Sequence, residues 1–440
     1  MDPDDARRKQ FNNSGAMNNV VFLFPNLTGH LNPSLGTARE FESKGFTVYY
    51  ASTPDTLPFA RKHGFDFHPL NSLPFAVGMD DLLHQNKKEK WLESLIDRHT
   101  DKTYRQRKAD LEKMMETLNP AWIFLDEFFV TDFVILYQYL ERRRIVVLHN
   151  KFPANFSREV PPLTTYAFPG KTSPRLWQMY FLKRSLREAG HYIKYLGKSD
   201  KQLLKRKWKE NNIEERYTIL RNKVFKPTFQ NLEEWFPVDK QLDFPKQNLL
   251  PWQKYVQPGP LHERKEDISP SCQQFVEQAK STPQNRLIYC SLGTVLKTHA
   301  KGKEKTVTRF FRNLIEIAEA NPTLFFYVVV EKQMTVDLKP RSHNIKLAEY
   351  APQLYLLKHA DLFMTHAGLG SVKEGAAANV PMLLFPLNDK WDQNGNAARV
   401  VYHGLGQKAD LRTSKTKLKK QIENFFDFFS PLQRECSESL

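Results

Sequence analysis

The chain has little that would mark it as secreted, metal-binding or membrane-spanning. Its 440 residues hold three cysteines, Cys272, Cys290 and Cys436. They are odd in number, scattered and without metal-ligand spacing, a pattern that excludes both a disulfide framework and a zinc site. No apolar run approaches the roughly 20 residues a membrane helix needs, and no apolar signal segment leads the chain. The expected setting is therefore reducing and cytoplasmic. There is no GxGxxG, no Gly-Lys-Ser/Thr of a P-loop, and no helix-turn-helix, zinc-finger or RNA-binding signature. No Asp-x-Asp arrangement follows a strand end, so no metal or other cofactor is expected.

What is present describes a globular protein. The hydrophobic content of 40% and aromatic content of 12% argue against wholesale disorder. The length suits two ordinary cores. The net charge of +16 is localised: residues 171–227 hold 16 Lys and Arg against 5 Asp and Glu, an excess of 11. Read plainly, this is a solvated basic helical face. Trp177, Tyr180, Phe181, Tyr192, Tyr195 and Trp208 interleave with the charges, which also suits peripheral contact with anionic lipid at the inner face of a membrane.

Two runs of alternating strand and helix organise the chain. Val20–Phe24 is a continuous apolar run, as a strand buried on both faces requires. A loop over Pro25–Asn32 follows, then a helix with Pro33 at its first position and Gly45 past its end. Thr47–Ala51, Trp122–Leu125 and Ile145–Leu148 repeat the strand signal, with Leu57–Thr117 and Pro161–Phe236 as helical or irregular insertions. Pro and Gly gather over Pro251–Glu263. A second run then places strands at Leu287–Cys290, Leu324–Val330, Leu362–Thr365 and Met382–Phe385, with helices over Val307–Ala320, from Ser371, and over Asp392–His403. The expectation is an α/β protein of two doubly wound domains. They cover 1–255, with 1–19 disordered, and 256–440, with the last helix packing back on the first domain.

Chemistry-bearing residues follow the strands. His366-Ala367-Gly368-Leu369-Gly370-Ser371 opens a helix directly after Leu362–Thr365. Glycines there let backbone approach an anion, and a helix start offers unpaired N–H groups and a favourable dipole. Glu374, one turn on, suits ribose hydroxyls. Tyr350-Ala351-Pro352-Gln353 lies upstream, offering an aromatic face for a base. Asp392 and Gln393 lie downstream, offering a carboxylate and an amide for sugar hydroxyls.

The order Tyr-Ala-Pro-Gln, His-x-Gly-x-Gly-Ser-x-x-Glu, Pro-Met, Pro, Asp-Gln resembles the donor signature of family 1 UDP-glycosyltransferases, in their bacterial macrolide, antibiotic and carotenoid branch. The likeness is specific from Tyr350 to Asn396 and weak over Pro54–Asn119 and Pro161–Gln247. It implies a GT-B fold, two Rossmann-like domains facing across a cleft, and an inverting transfer of a sugar from a nucleoside diphosphate to a small lipophilic or aromatic acceptor. The family's roles place Tyr350 on the base, with Ala351 beside it, Gln353 on the nucleoside and Glu374 on the ribose. His366, Gly368, Gly370, Ser371 and Thr294 fall on the diphosphate, and Asp392 and Gln393 on the sugar. Asp389 rivals Asp392, because the interval after Pro386 exceeds the family pattern by about two residues. Tyr350 and Gly370 follow the bacterial branch, leaving UDP and dTDP both open.

In the amino-terminal half, Gly29-His30-Leu31-Asn32-Pro33 matches the family's Gly-His-x-x-Pro loop after the first strand. The resemblance makes His30 the base and Asp126 its orienting carboxylate, with Asp132 as a rival partner. A sugar-nucleotide epimerase of the same fold, or a non-catalytic donor-binding partner protein, would keep the nucleotide residues. The partners implied are a nucleotide sugar and a small-molecule acceptor, not nucleic acid.

Overall fold

The computed structural model describes residues 18–76, 90–257, 266–293 and 302–437. The first sheet is wholly parallel. It contains β1 (Asn19–Leu23), β2 (Thr47–Ser52), β3 (Asp66–Pro69), β4 (Trp122–Asp126), β5 (Arg144–Leu148), β8 (Glu233–Pro237) and β9 (Gln253–Val256), in the order β3-β2-β1-β4-β5-β8-β9. A small antiparallel pair, β6 (Ile219–Leu220) and β7 (Thr228–Phe229), stands apart. The apolar run at Val20–Phe24 is buried throughout because helices cover the sheet. Phe22 stacks on Phe124 at 4.8 Å and on Tyr50 at 5.3 Å, so three neighbouring strands share one aromatic layer.

The second sheet is also parallel, in the order β12-β11-β10-β13-β14-β15. Its strands are β10 (Arg286–Ser291), β11 (Leu324–Val329), β12 (Ile345–Ala348), β13 (Leu362–Thr365), β14 (Met382–Leu384) and β15 (Gly406–Lys408). Alternation along β10 splits its core in two. Ile288 and Cys290 face one buried cluster, Leu287 and Tyr289 the other.

The chain divides into two compact units. The first comprises Met1–Pro162, Gly170–Gln241 and Pro245–Glu263; the second comprises Leu163–Pro169, Leu242–Phe244 and Arg264–Leu440. The boundary expected after residue 255 falls inside β9, which hydrogen-bonds to β8 and so belongs to the first sheet. Two short pieces of the amino-terminal half join the second unit through specific contacts. Asp243 accepts from Arg399 Nε at 2.6 Å, and a Cβ on Gly395 would lie 2.1 Å from the Leu163 carbonyl. The last helix, Lys415–Ser437, buries Leu418, Ile422 and Phe425 in the second unit's own core; the side chains of its residues 428–437, which bear on the expected packing back on the first domain, lie outside the described residues. Of the stretch expected to be disordered, 1–17 lies outside the described residues, and Asn19 already begins β1.

Candidate active site

In the first unit the strand order reverses between β1 and β4, the point at which open α/β sheets bind ligands beyond their strand ends. His30 and Asp126 meet there. Nδ1 of His30 lies 2.7 Å from Oδ2 of Asp126, the last residue of β4. Asp126 is fully buried, and its Oδ1 accepts the backbone N–H of Phe128 at 2.8 Å, so both oxygens are engaged. The Phe128 ring packs on the imidazole with centroids 4.5 Å apart. A carboxylate accepting from Nδ1–H fixes the ring and leaves Nε2 as the acceptor.

The segment carrying His30 is a helix where a loop was expected. It spans Thr28–Ser43, with Pro33 inside it. Proline there removes the N–H that would bond the carbonyl four residues earlier, that of Gly29. Asn150, just past β5, supplies the missing donor: its Nδ2 donates to Gly29 O at 3.3 Å. The helix therefore starts one turn early and holds His30 in its first turn. Asp132, the rival partner, is engaged elsewhere. Arg107 Nε donates to its two oxygens at 3.0 and 3.1 Å, both residues being buried.

In the second unit the order reverses between β10 and β13, and Gly293 and His366 lie just past the ends of these two strands. The helix Leu369–Ala377 starts two residues earlier than expected, with Gly368 as its N-cap, so Gly370 and Ser371 occupy its first turn. First-turn N–H groups have no intrahelical acceptor. The buried His366 ring sits between two glycines. A Cβ on Gly293 would lie 2.5 Å from its Cε1, and one on Gly368 2.6 Å from its Nε2. Packing thus demands glycine at both. At Gly370 and Gly29 a Cβ would meet nothing within 4 Å, so the space above each is open to a ligand. Thr294 lies outside the described residues.

A chain of hydrogen bonds fixes Gln353 and Glu374, the residues expected at the nucleoside. Tyr289 Oη donates to Gln353 Oε1 at 3.0 Å, which turns the Gln353 amide so that Nε2 donates to Glu374 Oε2 at 2.6 Å. Burial pushes the Tyr289 hydroxyl far above its ordinary pKa, so it stays a neutral donor. Tyr289 was invisible as a functional residue in the sequence, because an aromatic in an apolar strand reads as core. Beside Glu374, burial brings the Lys373 ammonium down to about 8. Tyr350 is exposed, with Ala351 half-buried next to it. Tyr289→Phe should loosen Glu374 and weaken nucleoside diphosphate affinity a few-fold, as removal of one hydrogen bond of about 1 kcal/mol implies; titration calorimetry reads this directly.

The residues expected at the sugar are held differently. Gln393 is buried, and its Oε1 accepts the N–H groups of Leu387 at 2.7 Å and Asn388 at 3.1 Å, clamping the loop after β14. Asp392 is half-buried, with Oδ2 accepting from Asn396 Nδ2 at 2.8 Å. Asp389 is exposed and accepts from Asn394 Nδ2 at 2.9 Å.

Comparison with known proteins bears on the family and the fold. Residues 190–427 match the family model described as "UDP-glucoronosyl and UDP-glucosyl transferase". The zeaxanthin glucosyltransferase of Pantoea ananas is 30% identical over 184 residues, which cover 42% of this chain and 39% of that enzyme. The chain thus matches about two fifths of that relative's length. A solved glycosyltransferase of kitacinnamycin is similar in fold over 96% of this chain and 93% of its own, with 19% identity and a TM-score of 0.63. A spinosyn rhamnosyltransferase solved with thymidine diphosphate shares 14% identity over 93% of this chain and 92% of its own, with a TM-score of 0.58. The fold is GT-B, two Rossmann-like parallel sheets with their helices.

Proposed function

Because the chain belongs to the UDP-glucoronosyl and UDP-glucosyl transferase family, we propose that it is an inverting glycosyltransferase that needs no metal. It moves a sugar from a UDP- or dTDP-sugar to a hydroxyl of a small lipophilic or aromatic natural-product acceptor. The observation that carries this reading is the 2.7 Å contact between His30 and Asp126. A non-catalytic donor-binding protein has no use for a histidine oriented by a buried carboxylate beside an open glycine.

In this mechanism Nε2 of His30 takes the proton from the acceptor hydroxyl as its oxygen bonds to the anomeric carbon. The bond from that carbon to the diphosphate oxygen breaks, and the electron pair leaves with the nucleoside diphosphate. Asp126 stabilises the imidazolium so formed. Fixed donors on the leaving diphosphate lower the barrier; His366, Ser371, Thr294 and the first-turn N–H groups at Gly370 and Ser371 are assigned that role. The Tyr350 face is assigned to the base, Gln353 and Glu374 to the nucleoside, and Asp392 with Gln393 to the sugar. A membrane-facing role for residues 171–227 belongs to the same reading.

Donor turnover with a panel of UDP- and dTDP-sugars and phenolic or polyisoprenoid acceptors, run with and without EDTA, tests the proposal. Nucleotide release that depends on acceptor and ignores the chelator is expected; acceptor-independent epimerisation, or loss of activity in EDTA, overturns it. In the same assay Asp392→Ala should raise KM for the intact sugar nucleotide about tenfold, equivalent to about 1.4 kcal/mol, and spare affinity for the free nucleoside diphosphate. If Asp389→Ala gives that split and Asp392→Ala does not, Asp389 makes the sugar contact.

A further inference from the structure

The helix Ser173–Lys194 is pinned by one face. The buried Trp177 donates its indole N–H to Val160 O at 2.9 Å, Tyr180 Oη accepts the N–H of Phe225 at 3.0 Å, and Arg184 donates to Lys223 O at 2.9 Å. Glu188, the only acid in the helix, lies on that inner side and pairs with Arg184, Lys201 and Arg221. At 100° per residue the opposite side carries Met179, Leu182, Leu186 and Ile193 within an arc of roughly 60°. They are left in solvent: Leu182 is 63% exposed, Leu186 66% and Ile193 75%. Lys183, Arg187 and Lys194, all exposed, border the stripe along one edge, and the exposed Arg175 stands at its start.

The apolar surface continues onto a second helix, Lys90–Thr100. Its Trp91 donates an indole N–H to Lys194 O at 2.8 Å, which sets it at the end of the stripe. Trp91, Leu92 and Ile96 are all about half exposed, as is Tyr192, and Leu196 follows just past the longer helix. Single exposed apolar residues are ordinary, but a contiguous patch of them marks an interaction surface.

We propose that this face docks on an anionic bilayer surface. The proposal rests on the membrane-facing role assigned to residues 171–227 and is independent of the sugar-transfer chemistry. Charge complementarity selects the occupant. The long helix presents apolar side chains, a basic edge and no outward acid; the shorter one adds a single exposed acid, Glu93. The stripe lies flat at the boundary between headgroups and acyl chains, the lysines and arginines reach anionic headgroups, and Trp91 sits at the interfacial depth tryptophan favours. No helix among the described residues is long and apolar enough to cross a membrane, so the contact is peripheral. The face brings the enzyme to a lipophilic acceptor where that acceptor dissolves.

The test is co-sedimentation of the full chain with vesicles of phosphatidylcholine alone or with about one third phosphatidylglycerol, across a salt series. Each engaged basic residue contributes about 1 kcal/mol near an anionic surface, roughly a fivefold change in partitioning. Binding to the mixed vesicles at low salt is expected, falling at least tenfold by physiological ionic strength. The triple variant K183E/R187E/K194E should lose that binding. L182S/L186S/I193S should lose it at every salt, and both variants should keep wild-type melting temperature and donor turnover in solution, since the altered side chains are exposed and outside the site. Wild-type protein that ignores anionic vesicles at low salt, or variants that bind as well as wild type, would overturn the proposal. A concentration-dependent dimer in sedimentation equilibrium that both variants abolish would give the face to a second copy instead. Absent glycosyl transfer with intact vesicle binding would sink the enzymatic reading alone.

Discussion

His30→Ala is expected to lower sugar transfer by about 10² to 10⁴, the range that general-base catalysis supplies, while nucleoside diphosphate affinity stays within about twofold of wild type. The split follows from where the groups lie. His30 and Asp126 close the first sheet at β1 and β4, whereas Tyr350, Gln353, His366 and Glu374 all belong to the second unit. Removing the imidazole leaves Asp126 buried with one oxygen still on Phe128 N–H, so a melting curve should accompany the kinetics to separate lost chemistry from lost fold. Asp126→Asn keeps the shape, but a side-chain amide cannot accept from Nδ1–H through its nitrogen, and the tautomer is no longer fixed. Its defect should equal or fall short of that of His30→Ala. His366→Ala and Glu374→Ala should show the opposite signature, weaker nucleotide binding with the proton-transfer step intact. A His30→Ala enzyme that turns over a hydroxyl acceptor at more than a few percent of the wild-type rate would remove His30 from the role of base.

Apolar runs made much of this fold legible. β1, β2, β4, β5, β10, β11, β13 and β14 are all buried strands whose residues read as such, because helices on both faces leave no polar side to alternate with. β8 and β9 were illegible for the complementary reason. Glu234 of β8 and Gln253 of β9 are buried polar residues that hydrogen-bond to each other at 2.9 Å, and Glu234 also accepts from His149 at 2.8 Å. Burial alone would raise the Glu234 carboxyl, but Lys223 and the His149 hydrogen bond hold it down to about 2. Two glutamates ahead of Trp235 and Phe236 and a proline after them interrupt the apolar run, so β8 does not read as a continuous buried strand. The site shows the same division. His30, Asp126, His366 and Glu374 were recognisable by type and by their place after strands. What holds them was not: Asn150 covering the Gly29 carbonyl, Tyr289 turning Gln353, and the two glycines around His366 act across 64 to 121 positions of chain or through contacts that one side chain's identity does not reveal. The loop expected before Pro33 failed on this account, since the proline preference for a first helical position is a local rule and Asn150 is a distant compensation.

Arg107→Ala should be among the most destabilising single changes in the first unit, by about 3 to 5 kcal/mol. Arg107 is almost wholly buried in the helix Lys102–Leu118, where its guanidinium bonds both oxygens of the buried Asp132, donates to Ser72 O at 3.0 Å and stacks over Phe129 at 5.0 Å. Truncation strands the carboxylate in an apolar setting and opens a cavity as well. Burial pushes the Asp132 carboxyl up, and Arg107 is the charge that opposes this; in the variant only the upward cause remains. A carboxyl whose folded pKa exceeds its unfolded one favours the folded state at low pH and loses that advantage as pH rises through the folded value. The stability deficit of Arg107→Ala should therefore grow from pH 5 to pH 8, which urea melts at the two pH values measure. The double variant R107M/D132L removes both charges and should recover most of the loss, because a buried pair replaced by apolar groups of similar volume leaves nothing unpaired. A single variant with a pH-independent deficit, or a double variant as unstable as the single, would mean that packing around Phe129 and Ser72 carries the site and that the ion pair does not.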